Sequence, residues 1–564
     1  MAAPLPFDLN EVDSFDAWKP WQPTKNEWSR KWAVHLFRRA AFGAKPAEID
    51  RALAEGFPKT LERLLVGAPD ANEVLELFTE IGQYCKETAN LRMWWLRFMV
   101  EGGHPLREKL TLFWHNHFAT SIAKVREIKS MFEQNIALRK HALGKFSPFL
   151  QEMSRNPAIL VWLDSNQNVK EAPNENYARE LMELFSLGVG NYTEKDIREA
   201  ARAFTGWHTN SAPNGEEFEY NPSEHDEGSK TVFGRTGNWD GGDIVRLCCD
   251  RPACAKFLVG KLYTFFVSET PPPKGLLTPL EEQFRKSDYD IADLVKTMLG
   301  SRLFFSAHAY RKRVKWPVEY AIEAFRSVIP GRIPLSNLVD SLASMGQVLF
   351  APPNVKGWRT GTDWLNSATL LARNNLAERV ALGGDGVTEA SSQTAKLVPT
   401  PVPPGTPVAP SVSSTSLAPP PPPDASADPI TTLFASEPKD AATLVQRMGE
   451  LLYGERLSPT HAAKIEKFLR EPLLVPRSNP ATSIPAPSPQ LPGPVFLPAG
   501  SGYPYPALPI TPIKPLKADQ PELAPPPREV IAKPGKFDLE APEFKARVRE
   551  ALHAMMCLPE YQLN

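Results

Sequence analysis

The sequence predicts a mainly α-helical fold, a multi-helical single body carrying a minor β-hairpin element and two long Pro-rich insertions expected to be disordered. Three observations lead there. Capping residues ahead of apolar residues at helical spacing, with glycine just past the end, recur through roughly the first 380 residues. The 58 prolines are concentrated in two tracts. Period-two alternation is confined to one stretch, about 209 to 245, rich in Gly, Asn and Asp.

Taken in order, Thr24 is placed to cap a helix running through Trp28, Trp32 and His35 to Ala41, with Gly43 just past its end. Thr193 and Asp196 make a short-acid capping box ahead of Ile197, Ala200, Ala201 and Phe204 on one face, and Gly206 is the stop. Between that helix and the next, Phe218/Tyr220 and Thr231/Phe233 predict at most a small hairpin within about 216 to 235. Thr278-Pro279 with Glu281 starts another helix, proline at the first helical position.

The composition changes abruptly near 385. Tracts such as VPTPVPPGTPVAPSV and APPPPPDASADP hold too little apolar area to offset the entropy of ordering. The expected division is a main helical body over 1–384, a linker over 385–428, a docking helical segment over 429–471, a second linker over 472–535 and a C-terminal docking helix within 536–564. In these islands Leu444, Met448, Leu451 and Leu452 form one helical stripe, Ser458-Pro459 begins a further helix, and Phe544, Val548, Leu552 and Met555 form another stripe. They are too short to fold alone and are expected to dock on the body.

Lys+Arg 64 against Asp+Glu 65 leaves no global field to attract nucleic acid, so no nucleic-acid partner is expected. Five cysteines, few and odd in number, argue against a disulfide framework, and Cys248, Cys249 and Cys254 lack the paired spacing of a zinc site. No apolar run approaches the roughly 20 residues of a membrane span, and the first residues lack a secretory pattern. The composition therefore predicts a cytoplasmic protein with free thiols.

Side chains able to bind a metal, move a proton or grip a sugar crowd into three stretches: HPLREKLTLFWHNHFATS (104–121), DSNQNVKEAPNENYARELMELFSLGVGNYTE (164–194) and EAARAFTGWH (199–208). On a helix His115 and His117 lie about 200° apart, so His117 points inward with Leu106, Leu110, Phe113 and Trp114, while His115 points away. From Pro173 onward, Asn176, Arg179, Glu180 and Glu183 share one face opposite Tyr177, Leu181, Leu184 and Phe185. Either that face is solvated, with an Arg179 to Glu183 pair, or its carboxylates serve as acid, base or ligands to a hard cation. The first turn, Asn174 to Asn176, favours anions.

His225-Asp226, with Lys230 nearby, reads either as a tuned base or metal ligand in a loop or as a stabilised turn. Trp207, Asn354, Trp358, Asp363, Trp364 and Asn366 supply the indoles and amides that a sugar-binding cleft needs, although tryptophans also plug helix gaps. The basic run Arg311 to Lys315 reads as a solvated face. No Gly-x-Ser-x-Gly, Walker A sequence or dinucleotide fingerprint is present.

At HLFRRAAFGAKPAEID (35–50), KLTLFWHNHFATS (109–121), PNENYARELMELFSLGVGNYTEKDI (173–197), FTGW (204–207), HDEGSKTVFG (225–234), PPNVKGWRTGTDWLNSATLLARNNLAERV (352–380) and LPEYQ (558–562), the chain resembles the bacterial family catalogued as domain of unknown function 1800. The resemblance covers nearly everything outside the proline tracts. It implies no particular site residue. It does imply context, since members are often exported with a twin-arginine signal and encoded beside proteins of a sulfatase-like family, which pulls the expected location toward export and suggests such a partner.

The function expected from these residues is a metal-assisted or carboxylate-based hydrolase acting on a carbohydrate or ester. Its acid–base groups would be Glu180, Glu183, His225 and Asp226. A divalent cation would be held among His117, Glu175, Glu180, Glu183, His208, His225 and Asp226. The alternative is a non-catalytic carbohydrate- or protein-binding assembly module.

Overall fold

The computed structural model describes residues 5–212, 215–329, 331, 333–383, 428–470, 474–476, 528–530, 538–539 and 541–564. Apart from a few of these residues, both proline tracts lie outside the described residues. Met1–Leu469 together with Leu539–Asn564 forms one compact unit, and Arg470–Asp538 clusters as another, in which Leu474–Pro476 pairs antiparallel with Arg528–Val530.

The larger unit is built of helices, as the capping pattern predicts. Thr193 caps Glu194–Ala203 with the reciprocal Asp196 contact, and Gly206 ends the segment with φ +80°. The first predicted helix starts late. Glu27 folds back to accept the Thr24 N–H at 2.7 Å, so Thr24 closes a turn and the helix runs Arg30–Ala40 from Ser29. The helix expected at Thr278-Pro279 is Thr278–Lys286, with Leu277 rather than Thr278 at its cap. The Gly/Asn-rich stretch holds two hairpins instead of one, Trp207–Ala212 with Gly215–Tyr220 and Lys230–Val232 with Arg235–Gly237.

The late islands pack within the same unit. Ala441–Tyr453 buries Leu444, Met448, Leu451 and Leu452, and Pro542–Met556 buries Val548, Leu552 and Met555. Polar contacts fix them: Arg38 donates to the Leu452 carbonyl, and Tyr310 donates to Glu455 at 2.8 Å.

The helix Pro105–His117 runs through the core and is held by buried ion pairs. Arg139 clamps Glu108 at 2.6 and 2.9 Å, and Lys109 reaches Glu319 on the helix Pro317–Val328. Here the reading of Arg311 to Lys315 as a solvated run is corrected. Arg313 pairs with Glu319 at 2.8 Å and Lys315 with Glu323 at 3.0 Å, all four side chains at most 3% exposed. Val314 bridges to Leu563, so this stretch is extended and threads the interior. Removing one partner from such a buried pair costs roughly 3–5 kcal/mol. All five cysteines are unpaired. Among the described residues no helix is long and apolar enough to cross a membrane.

Candidate functional site

The polar stretches marked by the sequence come together only in part. Among the described residues no three His, Cys, Asp or Glu side chains gather as metal ligands, so the cation site expected from His117, Glu175, Glu180, Glu183, His208, His225 and Asp226 is not formed. Arg179 pairs with Glu175 at 2.9 Å and with Glu194 at 2.8 Å instead of with Glu183. Glu183 accepts from Tyr192 at 2.9 Å. The backbone N–H groups of Asn174 and Asn176 donate to Asn168 Oδ1 and Asn174 Oδ1, which closes the expected first-turn anion site.

The reason lies in the backbone. Leu181–Ser186 is a π-helix, and the Leu187 N–H reaches back five residues to Met182. That wide turn moves Glu183 off the 100° spacing that aligned it with Asn176 and Glu180. Burial, and then the nearby Glu183, raise the Glu180 carboxyl above its ordinary value.

The histidine loop is a built turn. Asp226 accepts from Arg202 Nε and Nη2 at 2.7 and 3.1 Å and from the Gly228 N–H at 2.7 Å. Hydrogen bonding to Arg202 holds its carboxyl below the ordinary range. His225 donates from Nδ1 to the Thr205 carbonyl at 2.9 Å, buried Lys230 donates to the Asp226 and Gly228 carbonyls, and His208 lies against Glu224.

The aromatic-platform reading is corrected as well, because Trp207, Trp358 and Trp364 are 4%, 4% and 1% exposed and serve as plugs. Asn366 caps the helix Ser367–Ala381, Asn354 closes its own turn on Lys356, and Asp363 lies exposed beside them.

His117 is where the predicted segments do meet. It is buried, and its Nε2 donates to the Phe185 carbonyl at 3.0 Å, on the π-helix. That fixes the tautomer with Nδ1 as an acceptor, and Nδ1 receives the Lys261 amine at 2.9 Å. His115, on the other face, sits among Trp95, Phe350 and Trp358 at 5.1, 5.5 and 5.3 Å.

Lys261 opens onto a cavity of about 570 Å³. One wall is the helix Pro252–Phe266, presenting Ala253, Phe257, Gly260, Lys261 and Thr264, and Phe113 and Asn116 of the central helix form another. Leu187 to Asn191 form the rim, and Phe265, Glu269, Arg313 and Trp316 complete the lining. Gly188 is required on that rim: its φ is +79°, and a Cβ there would come within 2.9 Å of the Phe257 ring. Asn116 is fixed from behind, since its Oδ1 accepts the Trp358 N–H at 2.6 Å.

Two side chains in this cavity are electrostatically unusual. Burial lowers the Lys261 amine to about 8, and among the described residues no carboxylate pairs with it. Burial raises the Glu269 carboxyl above its ordinary value, against the pull of Arg313, while Val314 N–H holds one of its oxygens at 3.1 Å. The His117 imidazole is kept neutral by burial and by the Lys261 charge. Reasoning from the sequence missed Lys261, Glu269, Arg313 and Asn116. One trace was available: Lys261 is the single charged residue between Phe257 and Val267.

The family model described as protein of unknown function (DUF1800) matches residues 35–563. No curated protein and no solved structure shows a match to the chain.

Proposed function

The chain belongs to the DUF1800 family, and from the pocket of this member we propose that it is an acid–base hydrolase of a small polar ester or glycoside. Glu269 is the base that activates water, and Lys261 is the acid that protonates the leaving group. The observation that carries this reading is the pair itself. One cavity is lined by a carboxyl raised by burial and an amine lowered to about 8, with no ion pair joining them. The two shifts run toward each other, the Glu269 carboxyl raised and the Lys261 amine lowered by burial, which suits a base and an acid working in one pH window. His117 positions the amine through Nδ1 and, being neutral, does not compete for the role. Asn116, Asn191, Thr264 and Thr360 line the same space with hydrogen-bonding groups for a polar substrate.

The test is turnover of a panel of nitrophenyl esters and glycosides by the purified chain, with Glu269→Gln and Lys261→Met beside it. Hydrolysis that falls in both variants supports the reading. Hydrolysis that neither variant affects overturns it, and tight binding without turnover assigns the pocket to the binding-module class.

A further inference from the structure

We propose that the group this pocket recognises is a small organic anion with a flat apolar body, an aromatic or cyclic carboxylate or sulfonate, borne by the ester or glycoside that it takes as substrate. The inference rests on the pocket being the functional site and adds the chemical class of what enters it. The first observation is charge. Lys256, Lys261 and Arg313 line the cavity against a single carboxylate, Glu269. Arg313 is tied on one side to Glu319 and Lys256 is within the electrostatic reach of Glu281, while Lys261 has no carboxylate partner among the described residues. A cavity walled by protein focuses that excess on an entering anion.

The second observation is shape. Phe113, Phe257, Phe265 and Trp316 line the same space, Phe257 half-buried and the other three buried, an aromatic wall that suits a flat body. The third is Gly260, in the middle of Pro252–Phe266, where a Cβ would meet no heavy atom within 4 Å. Packing does not demand a glycine there. A helix interior that forgoes a side chain beside an open cavity fits a ligand that approaches the backbone closely.

The probes are 1-anilinonaphthalene-8-sulfonate and its uncharged counterpart N-phenyl-1-naphthylamine, titrated against the full chain by fluorescence. The sulfonate is expected to bind at one site, roughly tenfold or more tighter than the neutral probe. Its affinity should fall by a similar factor in Lys256→Glu, an exposed position whose change leaves the fold in place. Gly260→Leu, whose side chain enters open space, should abolish it.

Equal affinity for the two probes, or sulfonate binding that survives both variants, overturns the proposal. Failure of the hydrolase reading looks different: sulfonate discrimination as described, with turnover absent or unaffected in Lys261→Met, removes the catalytic roles and leaves the ligand class standing.

Discussion

The turn around His225 and the pocket around His117 each set a histidine beside a charged side chain, and they differ in what is left over. At the turn of 225 to 230, Asp226 is engaged by Arg202 and Gly228, His225 by Thr205, and Lys230 by two carbonyls. At the pocket, Lys261 has one neutral partner, His117, and opens onto a cavity of about 570 Å³. The first arrangement is what a fold needs to keep buried polar groups satisfied. The second leaves an ionisable group facing space with its proton affinity already shifted, which is where chemistry can occur. Counting polar residues therefore puts the turn first, and counting unengaged ones puts the pocket first.

The largest expected effect breaks the comparison directly. Lys261→Met should lower hydrolytic turnover by roughly 10²–10⁴-fold, the usual worth of a positioned acid, with little change in melting temperature, because removing a desolvated charge offsets the donor that His117 Nδ1 loses. Asp226→Ala should do the reverse, costing roughly 1–3 kcal/mol of stability by removing the acceptor of Arg202 Nε, Arg202 Nη2 and the Gly228 N–H, with turnover per folded molecule preserved. Thermal melts and steady-state rates on both variants decide it. If Asp226→Ala abolishes turnover of folded protein, the turn belongs to the site after all.

The two clusters should also titrate in separate windows. The contribution of protonated Lys261 to turnover is lost as pH rises through about 8, while on the acid side turnover falls as the Glu269 base takes up its proton. Asp226 has a folded value below its ordinary 3.8, so its stabilising contribution is present above that ordinary value and lost as pH falls through the folded one. A rate profile that stays flat through pH 8, while the fold is intact, would remove Lys261 from the proton-transfer step.

Much of the architecture was legible because caps and stripes are local. Thr193 with Asp196, and the apolar faces of Ala441–Tyr453 and Pro542–Met556, are set by residues a few positions apart. What failed was non-local. Arg313 and Lys315 look like solvent-facing cations until Glu319 and Glu323 meet them in the interior. Glu183 was aligned by an ideal 3.6-residue period that the π-turn at Leu181–Ser186 breaks. Of the candidate site, His117 was found because its inward face follows from the helix period. Its partner Lys261, 144 positions away, is brought to it only by tertiary packing.

The smallest effect sharpens the comparison most, because the two clusters each contain a glycine with opposite surroundings. At Gly228 an added Cβ would lie 2.7 Å from Arg202 Nη2 and 2.9 Å from Asp226 Oδ1, so Gly228→Ala must push apart the pair that holds the turn and should lower the melting temperature. At Gly260 the same methyl meets nothing within 4 Å and sits in a helix interior, where alanine is favoured over glycine by roughly 0.8–1 kcal/mol. Gly260→Ala should therefore raise the melting temperature while weakening sulfonate binding several-fold, since the methyl occupies ligand space. A gain in stability with binding untouched would mean that the ligand does not approach the helix backbone there. The flat body would then lie against the Phe113 and Trp316 side of the cavity instead.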